Sequence, residues 1–467
     1  MKRLLVLAGL ALLSVSSVFA QSPPSLCDIT SAPAATLLLP YFSVDFANAD
    51  RTTAVDTLFT ITNVSDIPAI AHVTVWSDWS FPVLDFNIFL TGYDVQGVSM
   101  YDIINRGVIP ITSSATIRGA RSASIGSRIV PLDVTACVGI GTGGIPLSLL
   151  AQIRSGLTGG AYFNCAQVGD AHTNAVGYVT VDVANKCSQS LPTEQNYFAS
   201  EILYDNQLIG DFQRVAPSTA TGNFAGGNPM VAIKAVPSGG TAAAGALLPT
   251  PLPYTFYDRY TPDANRKEDR RQPLPALFAA RYIGAGSGFT TSFLIWREGV
   301  TGSSVPSRAN GGDLTCASYS ANGALTFSEM VRFDERENPT GSQPCNFSPC
   351  AGPTVGSLPE TSARAITGPN ADPVFPGAFP GTTDGGGWLY LNLNNSGTAR
   401  PAGLYSLNNV ATNTRASQNW VVIEMTAEGR YGVDFDAAYL GNGCTAPFGI
   451  TAATNASVPN TPQIGPQ

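Results

Sequence analysis

Charged residues are scarce in this chain of 467 residues, because Asp, Glu, Lys and Arg make up only 12% of it, against about 25% in an average soluble protein. So few charges exclude a coiled coil, which carries charged residues beside its apolar seam. A pI near 4.8 excludes a basic nucleic-acid-binding protein. Hydrophobic residues reach 44%, which is enough to bury a sizeable core and excludes a disordered chain.

Several motifs that carry chemistry are also missing. The sequence holds no Cys-x2-Cys pair, no Gly-x-Ser-x-Gly and no glycine-rich loop that ends in Lys-Ser or Lys-Thr. Their absence leaves a structural zinc site, a nucleophile elbow and a phosphate-binding loop without support. We therefore expect no cofactor and no metal ion.

The first twenty residues have the pattern of a secretory signal peptide. Lys2 and Arg3 precede an apolar run, and Ala20 stands before Gln21 as a small residue at a cleavage site. No later stretch reaches 18 apolar residues, so we expect no transmembrane segment in the mature chain. The predicted location is secreted or periplasmic.

The cysteines are consistent with export. An even number of cysteines in an exported chain implies disulfide bonds, and eight allow 105 complete pairings. Four lie before residue 200 and four after residue 300, so pairing within each half would leave nine. The eight are Cys27, Cys137, Cys165, Cys187, Cys316, Cys345, Cys350 and Cys444.

Short segments of alternating polarity, separated by turns, dominate the sequence and predict β-strands. Residues 85–90 and 177–184 alternate most clearly, while residues 57–63 and 69–76 have the pattern of a hairpin. One helix is predicted near residues 146–155, because Pro146 suits a first helical turn. The fold class is therefore predicted as all-β, with two antiparallel β-sandwich-like domains and one short helical insertion.

The domain boundaries follow a change of composition in the middle of the chain. Residues 237–253 hold no charge and no period, whereas nine of the 14 residues from 258 to 271 are charged. We expect an N-terminal β domain over 21–236, a low-complexity and charged connector over 237–272, and a C-terminal β domain over 273–467. The connector should lie on the surface, with Arg266, Arg270 and Arg271 pairing to carboxylates of the flanking domains.

Four segments carry a resemblance. They are Leu-Leu-Pro-Tyr-Phe at 38–42, Trp-Ser-Asp-Trp at 76–79, Leu-Asp-Phe-Asn-Ile-Phe-Leu-Thr-Gly-Tyr-Asp at 84–94, and Val-Asp-Phe-Asp-Ala-Ala-Tyr-Leu-Gly-Asn-Gly-Cys at 433–444. With these the chain resembles a group of uncharacterised secreted proteins of Gram-negative bacteria. The resemblance implies a compartment and a fold class, and it carries over no functional residues.

Candidate catalytic residues are few. His172 has Asp170 two residues before it, and a carboxylate could orient the imidazole ring for acid–base work. Glu298 and Glu335 lie near aromatic residues, as the carboxylates of a glycosidase do. Each candidate also has a non-catalytic explanation. Asp-x-His is common in turns, and the acidic run at 334–337, which includes Glu335, suits an exposed turn.

Two further features admit a binding role. The aromatic residues of 76–81 could display rings for ligand stacking, although core packing is the ordinary fate of such rings. Asp434 and Asp436 could hold calcium, although strand-edge roles are commoner.

We therefore expect a secreted structural or binding protein, acting in surface display, adhesion or extracellular assembly, without catalysis. The alternative is a secreted hydrolase that acts on an extracellular polymer. The sequence leaves the partner unknown; a cell surface or an extracellular polymer is the candidate, and no nucleic acid is expected.

The distribution of cysteines generates a testable prediction. Because residues 237–253 separate two sets of four, disulfides should form only within each set. Mass mapping of a non-reduced digest checks this, and one bond from Cys27, Cys137, Cys165 or Cys187 to a later cysteine would contradict it. Loss of any native bond should cost about 2–5 kcal/mol of stability.

Overall fold

A computed structural model describes the chain over residues 33–110, 144–187, 189–192, 194, 197, 201–215, 227–235, 271, 274–275, 277–283, 289–299, 322–337, 339–340, 357–366, 386–395, 418–427 and 431–439. Within these residues the chain forms antiparallel strands and two helices. The prediction of an all-β fold is confirmed.

The first half of the chain forms two sheets. Its strands are β1 (Thr36–Val44), β2 (Asp56–Asn63), β3 (Ala69–Ser77), β4 (Pro82–Leu90), β5 (Val95–Ser99), β6 (Ala175–Ala184), β7 (Leu208–Ile209), β8 (Asp211–Val215), β9 (Gly227–Pro229) and β10 (Val231–Ile233). Sheet I has the order β10-β1-β6-β3-β4, and sheet II has the order β5-β2-β8-β9 with β7 also paired to β2.

The second half forms two more sheets. Its strands are β11 (Leu277–Ile283), β12 (Phe289–Arg297), β13 (Leu325–Asp334), β14 (Pro339–Thr340), β15 (Ser357–Leu358), β16 (Thr361–Ile366), β17 (Gly386–Asn395), β18 (Asn419–Ala427), β19 (Tyr431–Asp436) and β20 (Ala438–Tyr439). Sheet III has the order β16-β12-β18-β19. Sheet IV has the order β14-β13-β17-β11-β20, with β15 also paired to β13.

Both helices belong to the first half. α1 (Met100–Ile104) begins after Ser99, whose hydroxyl accepts a hydrogen bond from the amide of Asp102, the usual way to satisfy a free N–H at a helix start. α2 (Leu147–Leu157) is the predicted insertion, and it follows Pro146. Its inner face contacts β3, β4 and β6.

Sheet I is covered on both of its faces. Every residue of β1, β3 and β6 is buried, whereas β2 in sheet II alternates between buried and partly exposed residues. β1 contacts β2, β7 and β8 of sheet II as well as β12, β16 and β18 of sheet III. One hydrophobic core consequently runs through both halves of the chain, from Ala34 to Ala437.

The predicted hairpin of residues 57–63 and 69–76 is wrong. β2 pairs with β5, β7 and β8, while β3 pairs with β4 and β6. The chain changes sheets between them, and Asn63 secures this crossing by donating to the carbonyls of Ile67 at 2.7 Å and Thr91 at 3.0 Å. Alternation identifies strands, but it does not say which strands pair.

Each half has a corner, the place where the chain passes from its first strand in one sheet to its second strand in another sheet, and both corners are held in the same way. Thr57 Oγ1 donates to the carbonyl of Ser43 at 3.2 Å and accepts from its amide at 3.1 Å. Thr291 Oγ1 does the same to Ile283, at 2.6 Å and 2.9 Å. In each half this threonine of the second strand clamps the end of the first strand, and the two strands belong to different sheets.

Arg271, at the end of the expected connector, is fully buried, so the expectation of a surface position is wrong there. Its Nε lies 3.2 Å from Asp182 Oδ1 and 2.5 Å from Thr36 Oγ1, and its guanidinium stacks over the ring of Tyr204. Pairing with a carboxylate of the flanking domain was expected, and Asp182 supplies it. Arg266 and Arg270 lie outside the described residues.

The buried ion pair predicts a large loss of stability on truncation. Arg271→Ala would leave Asp182 buried without its cation, which should cost about 3–5 kcal/mol. Arg281→Ala is the matched control, because Arg281 pairs with Glu335 at a half-exposed site, where an ion pair contributes about 0–1 kcal/mol. Denaturant unfolding of both variants measures the difference, and equal losses would contradict the role of Arg271.

Candidate functional site

The ring of His172 contacts a carboxylate, but not the one that the sequence indicated. His172 Nε2 lies 2.9 Å from Oδ2 of Asp78, in the turn between β3 and β4. Asp170 contributes its backbone amide to the same Asp78 carboxylate, at 3.1 Å. The loop before β6 is thus anchored to the β3–β4 turn through one buried acid.

Asp78 is completely buried, while the side chain of His172 keeps 28% of its surface exposed. Burial raises the pKa of Asp78, and the hydrogen bond and charge of His172 oppose that rise. Gly169 allows this close approach, because a Cβ there would lie 2.5 Å from Asp78 Oδ1. The imidazole ring of His172 therefore contacts a buried carboxylate and is partly exposed to solvent.

The hydroxyls near this pair are engaged elsewhere. Ser77 Oγ donates to the carbonyl of Val168 at 2.5 Å and accepts from the amide of Phe81 at 3.1 Å. Ser80 Oγ is hydrogen-bonded to the hydroxyl of Tyr178. Among the described residues no hydroxyl is hydrogen-bonded to His172, so the structure brings no nucleophile to this pair.

Glu298 and Glu335 lie on different sheets and have different partners. Glu298, buried after β12, accepts from the amide of Gln418 at 3.0 Å. Glu335, exposed after β13, accepts from Arg281 at 2.7 and 2.8 Å. Each therefore forms a contact of its own, apart from the pair of His172 and Asp78.

The aromatic rings of residues 76–81 are core residues, since Trp76, Trp79 and Phe81 are all buried. Among the described residues the most exposed aromatic side chain is that of Tyr93, which is 72% exposed. It occupies the turn between β4 and β5, where its φ of 57° lies in the left-handed region. A non-glycine residue pays about 1–2 kcal/mol for that conformation.

Hydrogen bonds fix the Tyr93 turn in this conformation. Asp94 accepts from the amides of Thr91 at 3.0 Å and Val95 at 2.9 Å, and the amide of Tyr93 donates to the carbonyl of Ser65. Gly92 packs so closely that a Cβ would lie 2.3 Å from the carbonyl oxygen of Asp66. The exposed ring is therefore mounted on a rigid turn.

A second charged cluster lies where sheets II and III meet. Arg214 of β8 holds Glu424 of β18 with two hydrogen bonds, one of 2.8 Å from Nε to Oε2. The guanidinium also lies 5.8 Å from the ring centroid of Tyr41 on β1. Burial opposes the charge on Arg214, but Glu424 outweighs it and raises the pKa of the guanidinium.

Asp434 is directly opposite Glu424 in the β18–β19 pair. Both of its carboxyl oxygens are buried and have no hydrogen-bond partner among the described residues. Burial, reinforced by the charge of Glu424, raises the pKa of Asp434 to about 8, although Arg214 opposes the rise. At neutral pH the Asp434 carboxyl is therefore mostly protonated, as the acid of an acid–base pair must be.

The sequence analysis missed this cluster, except for naming Asp434 as a possible calcium ligand. Glu424 was its detectable signal, because a lone carboxylate interrupts the apolar strand Asn-Trp-Val-Val-Ile-Glu-Met-Thr-Ala. Across the described part of the chain no three potential metal-ligating side chains come together. Arg214 already pairs with both oxygens of Glu424, the carboxylate that a cation would need.

Two further observations concern the described cysteines and helices. Cys165 and Cys187, the two described cysteines, are disulfide-bonded, and the other six cysteines lie outside the described residues. Neither described helix is long and apolar enough to cross a membrane.

Comparison with family models, with curated proteins and with solved structures returned no match. The resemblance to secreted proteins of Gram-negative bacteria consequently stays a prediction.

The protonated Asp434 generates a prediction about pH. Its carboxyl should lose a proton near pH 4 when unfolded but near pH 8 when folded. The folded state thus holds one extra proton between these values, and this carboxyl lowers stability by up to about 1.4 kcal/mol per pH unit as pH rises. Asp434→Asn should abolish that loss. The free energy of unfolding of the variant should therefore rise relative to that of the wild type from pH 4 to pH 8.

Denaturant unfolding at pH 4, 6 and 8 measures the gain. The groups that face Asp434 are Glu424, Arg214 and, behind them, Tyr41, and all three remain in the variant. Asp211→Asn, at an exposed position of β8, is the control and should show no such trend. A constant difference between wild type and Asp434→Asn across this range would contradict the assignment.

Proposed function

We propose that the protein is an exported, non-enzymatic binding protein that attaches to a cell surface or an extracellular polymer. The observation that carries the proposal is the display of Tyr93, an aromatic ring 72% exposed on a turn in the left-handed region. Tyrosine gives a binding surface large, rigid contact area at low cost in conformational entropy.

The Tyr93 side chain contributes little to the fold. Its ring is in solvent, and its hydroxyl has no hydrogen-bond partner within the described residues. Its backbone conformation is one that glycine or asparagine adopts at lower cost. A strained residue that the surrounding structure holds in place is a recognised mark of a functional position.

Export supports the same function. The disulfide-bonded state of Cys165 and Cys187 suits an oxidising compartment, as does the signal-peptide pattern of residues 1–20. We place the mature protein outside the cytoplasm, either secreted or in the periplasm.

Replacement of Tyr93 tests the proposal. Tyr93→Asn should leave the free energy of unfolding unchanged or raise it by up to about 1 kcal/mol, because asparagine tolerates the left-handed region. Co-sedimentation of the mature chain with cell envelopes of a Gram-negative bacterium, and with insoluble polysaccharides, should fall at least tenfold.

Phe163→Asn is the matched control. Phe163 is also exposed and also at positive φ, but its ring packs edge-on against Tyr162. Attachment should survive this change. A Tyr93→Asn variant that attaches like the wild type, or that is clearly less stable, would contradict the proposal.

A hydrolase acting on an extracellular polymer is the second candidate, favoured by the opposed Glu424 and Asp434. Two carboxyl groups, one of them protonated, are the equipment of sugar hydrolysis, but Arg214 occupies both oxygens of Glu424. Release of reducing ends from polysaccharides by the wild type, and its loss in Asp434→Asn, would favour this candidate. Absence of release from the wild type would exclude it for those polymers.

A further inference from the structure

The outer face of sheet II is partly exposed in the described part of the chain. β2 turns Phe59 and Ile61 into the core, while Thr60 and Thr62 are partly exposed on the other side. The edge strand β5 continues this outer face, because Thr60 is paired with Gly97 and Thr62 with Val95. Tyr93 lies at the start of β5, two residues before Val95.

Gly97 has no structural reason to be a glycine. A Cβ at this position would have no atom within 4 Å, and the backbone is not in the left-handed region. Glycine weakens a strand, and in strands it often marks a place where a ligand or another backbone approaches closely. The described chain supplies no such neighbour, so the open space at Gly97 points to a ligand from outside.

The charges of this region select the ligand. Its ionised groups are acidic: Asp211 is exposed on β8, and Asp66 is exposed beside the Tyr93 turn. The other outward residues include Leu58, the hydroxyls of Thr60 and Thr62, and the amide of Gln213, which β8 places opposite Leu58. Carboxylates, hydroxyls and amides bind sugar hydroxyls, whereas an acidic surface on a chain of net charge −8 repels an anionic polymer.

The geometry points to a site for a neutral polysaccharide on the outer face of sheet II. A sugar ring stacks on Tyr93, and the polymer continues over Val95 and Gly97, where the missing side chain leaves room for it. β5 is about 13 Å long from Val95 to Ser99 at ~3.3 Å per residue, so more than one sugar unit contacts the face. This inference rests on the proposed binding function and names its ligand.

Gly97→Val provides the sharpest test. The added side chain meets nothing in the fold, and valine favours a strand, so the variant should be as stable as the wild type or more so. It would nevertheless fill the path of the polymer. Binding to microcrystalline cellulose, as a neutral probe, should fall at least tenfold in Gly97→Val and in Tyr93→Asn, and should be unchanged in Phe163→Asn.

The wild type should bind alginate, an anionic polysaccharide, at least tenfold more weakly than cellulose. Equal binding of both polymers, cellulose binding unaffected by Gly97→Val, or equal losses in Phe163→Asn would each overturn the inference. So would a dimer of the wild type that Gly97→Val dissociates, since the face would then join two copies of this chain.

The two proposals fail in different ways. Attachment to cell envelopes that depends on Tyr93, without binding to cellulose, would overturn the polysaccharide site and leave the binding function standing. Attachment that does not depend on Tyr93 would overturn both.

Discussion

The covering of sheet I on both faces is the constraint on which the rest of the structure depends. A strand with no exposed face cannot leave a polar group to water, so each such group needs a partner inside the protein. Asp182 of β6 meets this requirement through Arg271, Thr36 and Tyr197. Because Arg271 lies at the end of the expected connector, this contact also ties that end of the connector to sheet I.

Because of the same constraint, exposed side chains that could bind a ligand lie at sheet edges and turns, at the rims of the molecule. Buried charges such as Arg271 and Arg214 join layers, and Arg297 donates to carbonyl groups of β13 and β17 and to the side-chain oxygen of Asn419. Exposed features occur where a layer ends. Tyr93 lies on the turn beside the edge strand β5, and Val433 and Phe435 lie on the edge strand β19. The binding function is proposed for the first of these rims, because there an aromatic ring is 72% exposed.

The two halves repeat a construction without repeating their surfaces. The threonine clamps at Ser43 and Ile283 turn the chain from one sheet to the next in the same way. Yet sheet I is buried on both faces, whereas Val433 and Phe435 of sheet III are exposed. One corner design thus serves two sheet pairs that use their outer faces differently.

The sequence by itself determined the all-β class and the helix after Pro146, because alternation and a helix-starting proline act over a few neighbours. From the sequence, Asp170 was the expected carboxylate partner of His172, and β2 and β3 were expected to form a hairpin. Tertiary structure decided otherwise, giving His172 the side chain of Asp78, 94 residues distant. Only tertiary structure brought Arg214 to Glu424 across 210 residues, because contacts between sheets depend on how layers stack, and local alternation carries no record of that stacking.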